Sequence, residues 1–422
     1  MKQLLDVYIT LKTQKQYLKI ILANSINRFG DSIDAIAFTW LVYEVTQSAT
    51  WSTVIFGMNM LPTILLQPFT GALVENMRKK NIMIICDIAR GVSVSIIAIS
   101  YLAGNLTPWM ILAVTLLDST FETFRIPAGI SIVPKLLDEE HYEVGTALNS
   151  TFSRAMELIG TGCAGFIIGI FGISTAIFID AITFIGSAIV IGFIRYNETI
   201  TKEKLSLKSY TTTLKEGMHY MKCRQAVLVL CLIGALLNAV VIPINSLLPV
   251  FIDSIMKSGS EMLSMLSVGM TVGSIIGSFL YPVLTNHITK RRLLLATIVF
   301  MGFFYILIVY IPNVIPQKFI SDALIVGMFT ILGLLSAAVS TFVAVFLMQR
   351  VDPNYMARVG AVFNAFVTLT IPIGSLLISV LLQMTSFVTI FLGFGILSIF
   401  LYLILRKREI FFMLDENPSK QE

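Results

Sequence analysis

Apolar runs of about 20 residues return along almost the whole sequence, and each is long enough to cross a hydrocarbon layer roughly 30 Å thick. They lie near 18–46, 51–74, 82–103, 108–134, 146–171, 173–195, 226–252, 262–286, 293–311, 319–348, 357–382 and 386–406. In lipid, backbone N–H and C=O groups have no water to bond, so spans that are not closed barrels must be helices. The runs leave no room for a large water-soluble domain. Of the 422 residues, 56% are hydrophobic and 13% charged, against about a quarter charged in soluble domains. The expected fold class is an all-α membrane protein of about twelve transmembrane helices.

Lysine and arginine are held back on the cytoplasmic side, so their distribution gives orientation. With the N-terminus inside, 24 of the 30 fall on that side, in segments that include Arg78, Lys79 and Lys80, then Arg195 to Arg224, then Lys290, Arg291 and Arg292. The other face receives Lys257 and Lys318, and Arg28, Arg90, Arg125 and Arg154 lie within spans. This bias predicts an even number of spans with both termini cytoplasmic. The net charge of +5 therefore reports topology and not a nucleic-acid partner. Cys86, Cys163, Cys223 and Cys231 show no paired spacing and read as free thiols. The first span is too long and polar for a signal-peptide core and is expected to be retained.

The longest polar segment, 196–225, divides the chain nearly in half. The expected organisation is a six-helix bundle at 1–195, a cytoplasmic linker at 196–225 with an amphipathic stretch at Leu214–Arg224, and a second bundle with a short tail at 226–422. An internal repeat agrees with duplicated halves. Val144-Gly145-Thr-Ala-Leu-Asn149 recurs as Val359-Gly360-Ala-Val-Phe-Asn364, an offset of 215 residues, preceded by Asp138 and Asp352. Arg78-Lys79-Lys80 and Lys290-Arg291-Arg292 repeat at an offset of 212.

These residues resemble the major facilitator superfamily, and most closely its bacterial branch that includes macrolide efflux proteins. The family's loop between helices two and three reads Gly-x-x-x-Asp-Arg/Lys before a basic cluster. Here it is Gly71-Ala-Leu-Val-Glu75-Asn76-Met-Arg78-Lys79-Lys80. The resemblance implies a cytoplasmic gate motif at Gly71, Glu75, Arg78, Lys79 and Lys80, its latch weakened by Glu75 and Asn76. Further similarities are Phe38-Thr-Trp40-Leu-Val-Tyr43, Pro127-Ala128, Ala181-Ile-Thr183-Phe184 and the glycines Gly160, Gly162, Gly165 and Gly169. Those glycines resemble the family's antiporter motif without its proline. They also suit close helix packing, which small residues permit. The resemblance implies two pseudo-symmetric six-helix bundles, the major facilitator fold, in a monomer whose helices one, four, seven and ten line a cavity.

An ionisable side chain at the bilayer centre costs several kcal/mol, roughly 2.5–3.5 even on insertion scales, and is a functional candidate by default. The first span carries Arg28, Asp31 and Asp34 beside Asn24. The fourth carries Asp118, Glu122 and Arg125 at i, i+4 and i+7, one face of a helix. Asp31, Asp34, Asp118 and Glu122 are the expected proton-coupling or substrate-cavity carboxylates, with Asp34 and Glu122 foremost and Arg28 and Arg125 as counter-charges. Structural pairing of Arg28–Asp31, Glu122–Arg125 and Arg154–Glu157 is the alternative. Asp87 and Arg90 are assigned to the cytoplasmic gate or to interface anchoring. In the second half the mid-span polarity is uncharged: Asn238, Asn245, Ser336 and Ser340 are expected to line a cavity.

The sequence contains no phosphate-cradling Gly-x-x-x-x-Gly-Lys-Ser/Thr and no His-Glu-x-x-His, and His141, His219 and His287 are scattered. An enzyme is not expected. The expectation is a secondary transporter in the bacterial cell membrane that exports a lipophilic solute, macrolide-like, in exchange for protons, with the proton gradient and no cofactor as its energy source. Siderophore export, lysophospholipid transport and a non-transporting receptor are the alternatives. The topology is directly testable in a variant without its native cysteines. Lys257→Cys and Lys318→Cys should react with an impermeant maleimide on intact cells, and Lys79→Cys and Arg291→Cys only after the membrane is opened. The reverse pattern would reject the orientation.

Overall fold

The computed structural model describes residues 14–75, 77–138, 142–195, 218–219, 224–351 and 356–407. Most of the linker, including nearly all of the predicted amphipathic stretch, lies outside the described residues, as do Asn76, His141, Cys223, Asp352 and the tail beyond 407. The described chain is helical: α1 (Lys15–Thr46), α2 (Ala49–Asn59), α3 (Leu61–Glu75), α4 (Lys79–Leu102), α5 (Pro108–Leu136), α6 (Tyr142–Phe171) and α7 (Ile173–Gly192) precede the linker. After it come α8 (Gln225–Phe251) with a π-helical turn at Ile252–Met256, α9 (Ser260–His287), α10 (Lys290–Val314), α11 (Lys318–Arg350), α12 (Met356–Met384) and α13 (Phe387–Lys407). Helices α2 and α3 are one span interrupted at Met60, which gives twelve spans.

The ends of the helices follow local chemistry. Thr107 caps α5 by accepting the Met110 N–H ahead of Pro108, and Thr289 does the same for α10 through Arg292. Both are side-chain caps on orphan N–H groups. A single residue, Gly172 at φ 84°, separates α6 from α7, a conformation that a side chain would strain. The break at Met60 has its cause in Pro62, which has no N–H to return to the Met58 carbonyl.

Among the described residues, ten segments are long and apolar enough to cross a membrane by composition alone, and α1 and α5 are not among them. These are the two helices that carry the Arg28–Asp31–Asp34 and Asp118–Glu122–Arg125 stripes. Helix α4 shows how the surface is arranged. It exposes Ile85, Ile88, Val92, Ile96 and Ile99 while turning Asp87 and Arg90 inward. An apolar stripe outside and charge inside is the arrangement of a helix solvated by lipid.

The chain divides into two compact units, residues 1–47 with 58–206, and residues 48–57 with 207–422. The boundary expected at 195 put the whole second span in the first bundle; the structure groups residues 48–57 with the second unit. A Cβ on Gly57 would lie 2.5 Å from Cβ of Ser375, so this end of α2 is packed tightly on α12. Within the first unit α1 packs on α6 and α7, α4 on α5 and α7, and α3 on α5. Within the second, α8 packs on α12, α10 on α11 and α13, and α9 on α11. Counted by span, pairings 1–5, 3–4, 3–6 and 2–4 recur as 7–11, 9–10, 9–12 and 8–10.

The units differ in how those pairings are filled. In the first unit, Tyr17, Ile20, Met83, Ile132 and Ile191 belong to a core beneath the polar residues. In the second, Phe304 meets Tyr305 and Phe329 edge-on at 6.0 and 5.1 Å between ring centroids, and the Tyr305 hydroxyl donates to the Val240 carbonyl. Helices α9 and α11 meet backbone to backbone: a Cβ on Gly273 or Gly277 would overlap the Thr330 or Leu334 carbonyl, and one on Gly333 the Met270 carbonyl. Small residues four apart allow this approach in a membrane, and the contact has no flexible side chain to yield. Gly273→Leu should therefore lower the thermal midpoint of the purified protein by at least the equivalent of about 1–3 kcal/mol. Gly169→Ala, at a position with nothing within 4 Å, should leave it unchanged or raised.

Candidate functional site

The first unit holds a network of charged side chains drawn from five helices. Arg90 of α4 is at its centre, with its side chain only 7% exposed. Its Nε donates to Asp118 Oδ1 at 2.9 Å, and its Nη2 to Asp118 Oδ2 at 3.0 Å and Asp31 Oδ1 at 3.1 Å. One guanidinium thus ties α4 to α5 and α1, the two-pronged geometry that arginine offers a carboxylate. The guanidinium also lies 4.2 Å from the centroid of the Phe184 ring, a cation–π contact from α7.

A second knot surrounds Asp87, which is 0% exposed. Arg125 Nε donates to its Oδ1 at 2.5 Å, Asn27 Nδ2 to the same oxygen at 3.4 Å, and Ser187 Oγ to Oδ2 at 2.7 Å. Arg125 Nη2 also donates to Asn24 Oδ1 at 3.3 Å, and Asn24 Nδ2 to Asn149 Oδ1 at 3.2 Å. Asn149 is the asparagine of the first-half repeat, so that repeat contributes a polar contact to the site. Toward the surface, Arg28 Nη2 and Arg154 Nη1 share Glu157 Oε2, at 2.8 and 3.1 Å. Asp180 of α7 is 1% exposed. It comes close to α1 because Gly30 stands there; a Cβ at that position would overlap Thr183 Oγ1.

Two of the pairs weighed as the structural alternative require correction among the described residues. Arg28 does not pair with Asp31 but with Glu157, and Arg125 does not pair with Glu122 but with Asp87. For Arg125 the reason is burial, since Asp87 is fully buried and would be costly as a lone anion; Arg28, with its side chain 44% exposed, reaches across to Glu157 on α6. Arg154–Glu157 does form. Arg90 and Asp87, assigned to the gate or to interface anchoring, are the core of the network and join α4 to the helices around it. Position 90 lies eleven residues into α4, about 16 Å at 1.5 Å per residue, deep in the hydrocarbon. The signal available in the sequence was an Asp and an Arg at i, i+3 inside an apolar run.

Two cavities border these groups. One, of about 550 Å³, is lined by Arg28, Asp31, Glu122 and Arg125 with Asn24 and Asn27. The other, of about 40 Å³, is lined by Asp34, Asp118, Asn59 and Thr115 among apolar residues. Asp34 Oδ1 is buried without a hydrogen-bond partner, and Glu122 has no ion pair or hydrogen bond among the described residues. In the second unit a cavity of about 390 Å³ is lined by Asn238, Ser336 and Ser340 amid Met301, Val343 and Phe363. Ser336 Oγ is buried there with no partner. Asn245 is exposed and does not line it.

Of the gate motif, Gly71 and Glu75 lie on α3, Arg78 precedes α4, and Lys79 and Lys80 open it. Lys80 Nζ donates to the Gly192 and Ile194 carbonyls at 2.7 and 2.8 Å, and Lys19 Nζ to the Phe193 carbonyl at 2.7 Å. Two ammoniums thus satisfy the carbonyl end of α7, where helix charge is negative. Removing a partner from the buried network should be severe. Arg125→Ala should cost about 3–5 kcal/mol, read as a fall in thermal midpoint, and adding Asp87→Asn should recover part of it. Additive losses in the double variant would show that the two residues are not coupled.

Comparison with known proteins gives a consistent picture. The family model described as Major Facilitator Superfamily matches residues 20–370. Macrolide efflux protein A of Streptococcus pyogenes is 22% identical over 86% of this chain and 88% of its own length. Multidrug efflux pump Tap of Mycolicibacterium fortuitum is 20% identical over 67% of this chain and 70% of its own. Among solved structures, the nucleoside transporter NupG (D323A mutant) superposes with a TM-score of 0.76 at 14% identity, over 93% of this chain and 100% of that one. At that identity the likeness shows the fold.

Proposed function

This chain belongs to the Major Facilitator Superfamily and is a membrane transporter, and from that premise we propose that it exports a lipophilic, macrolide-like solute in exchange for protons by alternating access. The relatives named as efflux pumps support the direction and the class of cargo. The observation that carries the coupling is the imbalance of the first-unit site. Asp31, Asp34, Asp87, Asp118, Glu122 and Asp180 gather around Arg90 and Arg125, and neither Asp34 nor Glu122 is bonded to either arginine. A buried carboxylate without a partner is costly as an anion, and a proton removes that cost. Glu122 lines a cavity large enough for water, so its proton can exchange; ion pairs fix Asp31 and Asp118 in place while Glu122 and Asp34 remain available.

The cargo side is supported by the second unit. A cavity of about 390 Å³ is within the range of sites for drug-sized molecules, mostly apolar with a few placed polar groups. Asn238, Ser336 and Ser340 are those groups, and Met301 adds an adaptable thioether. On this reading the protein works in the bacterial cell membrane as a monomer with both termini inside, and the proton gradient supplies the energy. The test is efflux in a host without its own pumps. Expression should lower accumulation of a macrolide, and collapse of the proton gradient should restore it. Glu122→Gln should remove gradient-driven efflux by roughly tenfold or more with normal membrane insertion; full coupled efflux in that variant would reject the role of Glu122.

A further inference from the structure

The two larger cavities are lined by the same positions of the duplicated halves. Eleven of the fourteen residues around the first-unit cavity have a counterpart around the second-unit cavity at a single offset of 214 residues, too regular a match for two unrelated hollows. One site has been built twice, and its chemistry has not been kept. Asn24 recurs as Asn238, but Asn27 becomes Val241, Glu122 becomes Ser336 and Arg125 becomes Val339. Arg28 and Asp31 correspond to Ile242 and Asn245, which do not belong to the second lining. No Asp, Glu, Lys, Arg or His is among the residues that line the second-unit cavity.

The loss of charge also changes the shape. In the first unit Asp87 and Arg125 bridge α4 and α5 with an ion pair at 2.5 Å; at the same offset stand Met301 and Val339. Those two cannot form such a bridge, and the second-unit cavity extends to Met301 and, one turn away on α10, to Thr297. An ion entering there would give up water without gaining a counter-charge, so the lining selects for a neutral occupant. It also offers an unused donor. Thr297, Thr330 and Thr341 each give their hydroxyl hydrogen to the carbonyl four residues back, a common resort of a hydroxyl on a helix, whereas Ser336 Oγ is buried with no partner. Leaving a buried hydroxyl unbonded costs about 1–3 kcal/mol, and an acceptor on a ligand would remove that cost.

We propose that the second-unit cavity binds an uncharged, carbonyl-bearing part of the cargo, with Ser336 Oγ donating to the carbonyl oxygen and Met301 setting how deep the molecule enters. The proposal rests on the reading of this cavity as the cargo side and adds the class of ligand and the residues that select it. The test is equilibrium dialysis of the purified full-length protein against a tritiated macrolactone, the uncharged core of a macrolide without its sugars and amine, at acidic and at alkaline pH. Binding should be equal at both. Ser336→Ala should weaken it by roughly threefold to tenfold, yet leave the ligand-free unfolding midpoint unchanged or raised, because it deletes an unsatisfied hydroxyl. Met301→Trp should weaken it by about tenfold or more by filling the floor of the cavity. Ser336→Glu, which restores the carboxyl of the first unit, should bind more weakly in alkali than in acid, since only the protonated carboxyl can donate. If Met301→Trp or Ser336→Glu does not fold, Ser336→Ala and the unaltered protein decide. No binding of the lactone, binding that follows pH in the unaltered protein, or full binding in Ser336→Ala would overturn the proposal. Macrolide efflux from cells reads the transport proposal separately: lactone binding without efflux would reject export and keep this site, and efflux without lactone binding would do the converse.

Discussion

The first unit depends on the pairing of guanidinium groups with carboxylates inside a shell that faces hydrocarbon. An isolated charge there is prohibitive, and a pair holds only where geometry and further hydrogen bonds offset the lost water. Arg90 meets that condition through three bonds to two carboxylates and the face of Phe184. Asp87 meets it through Arg125, Asn27 and Ser187. Because each contact joins different helices, the polar network does for α1, α4, α5 and α7 what aromatic packing does in the second unit. It also leaves Asp34 and Glu122 without a bond to either arginine.

The two units share a pattern of helix pairing but fill it with different chemistry. Charge, amides and hydroxyls occupy the interior of one, while phenylalanine clusters and a glycine seam occupy the other. The seam between α9 and α11 sets backbone against backbone at Gly273, Gly277 and Gly333, with Ser274 Oγ donating to the Gly333 carbonyl across it, so these helices are held largely by shape. The same α11 then presents Ser336 and Ser340 to the cavity of about 390 Å³ from a well-anchored backbone. The two interiors are thus each backed by a different kind of packing, polar bonds in one case and close steric fit in the other.

Much of the fold was legible from apolar runs, because a span in lipid must satisfy its own backbone and so declares itself by length. The charged stripes were equally visible, since Asp118, Glu122 and Arg125 repeat at helical spacing. What could not be read was the choice of partner. Spacing along one helix brought Arg28 to Asp31 and Arg125 to Glu122, yet the real partners are 129 and 38 positions away, Glu157 and Asp87. Packing between helices decides that, and no local pattern encodes it. Arg90 was given no carboxylate partner for a related reason: its run of isoleucines reads as an ordinary lipid-facing helix until the buried face is seen. The glycines at 273, 277 and 333 were missed because their meaning lies in which helix opposes them.

The polarity of α1 and α5 has a consequence for biosynthesis. Neither is apolar enough to enter lipid by composition alone, and α1 leaves the ribosome first. Its Asp31 takes a hydrogen bond from Arg90, which is synthesised 59 residues later, and the Asp118 that shares Arg90 comes later still. A first span delivered to the bilayer before Arg90 exists would carry Asp31 without that interhelical partner. Translation order, and not only final stability, bears on where these charges can be placed.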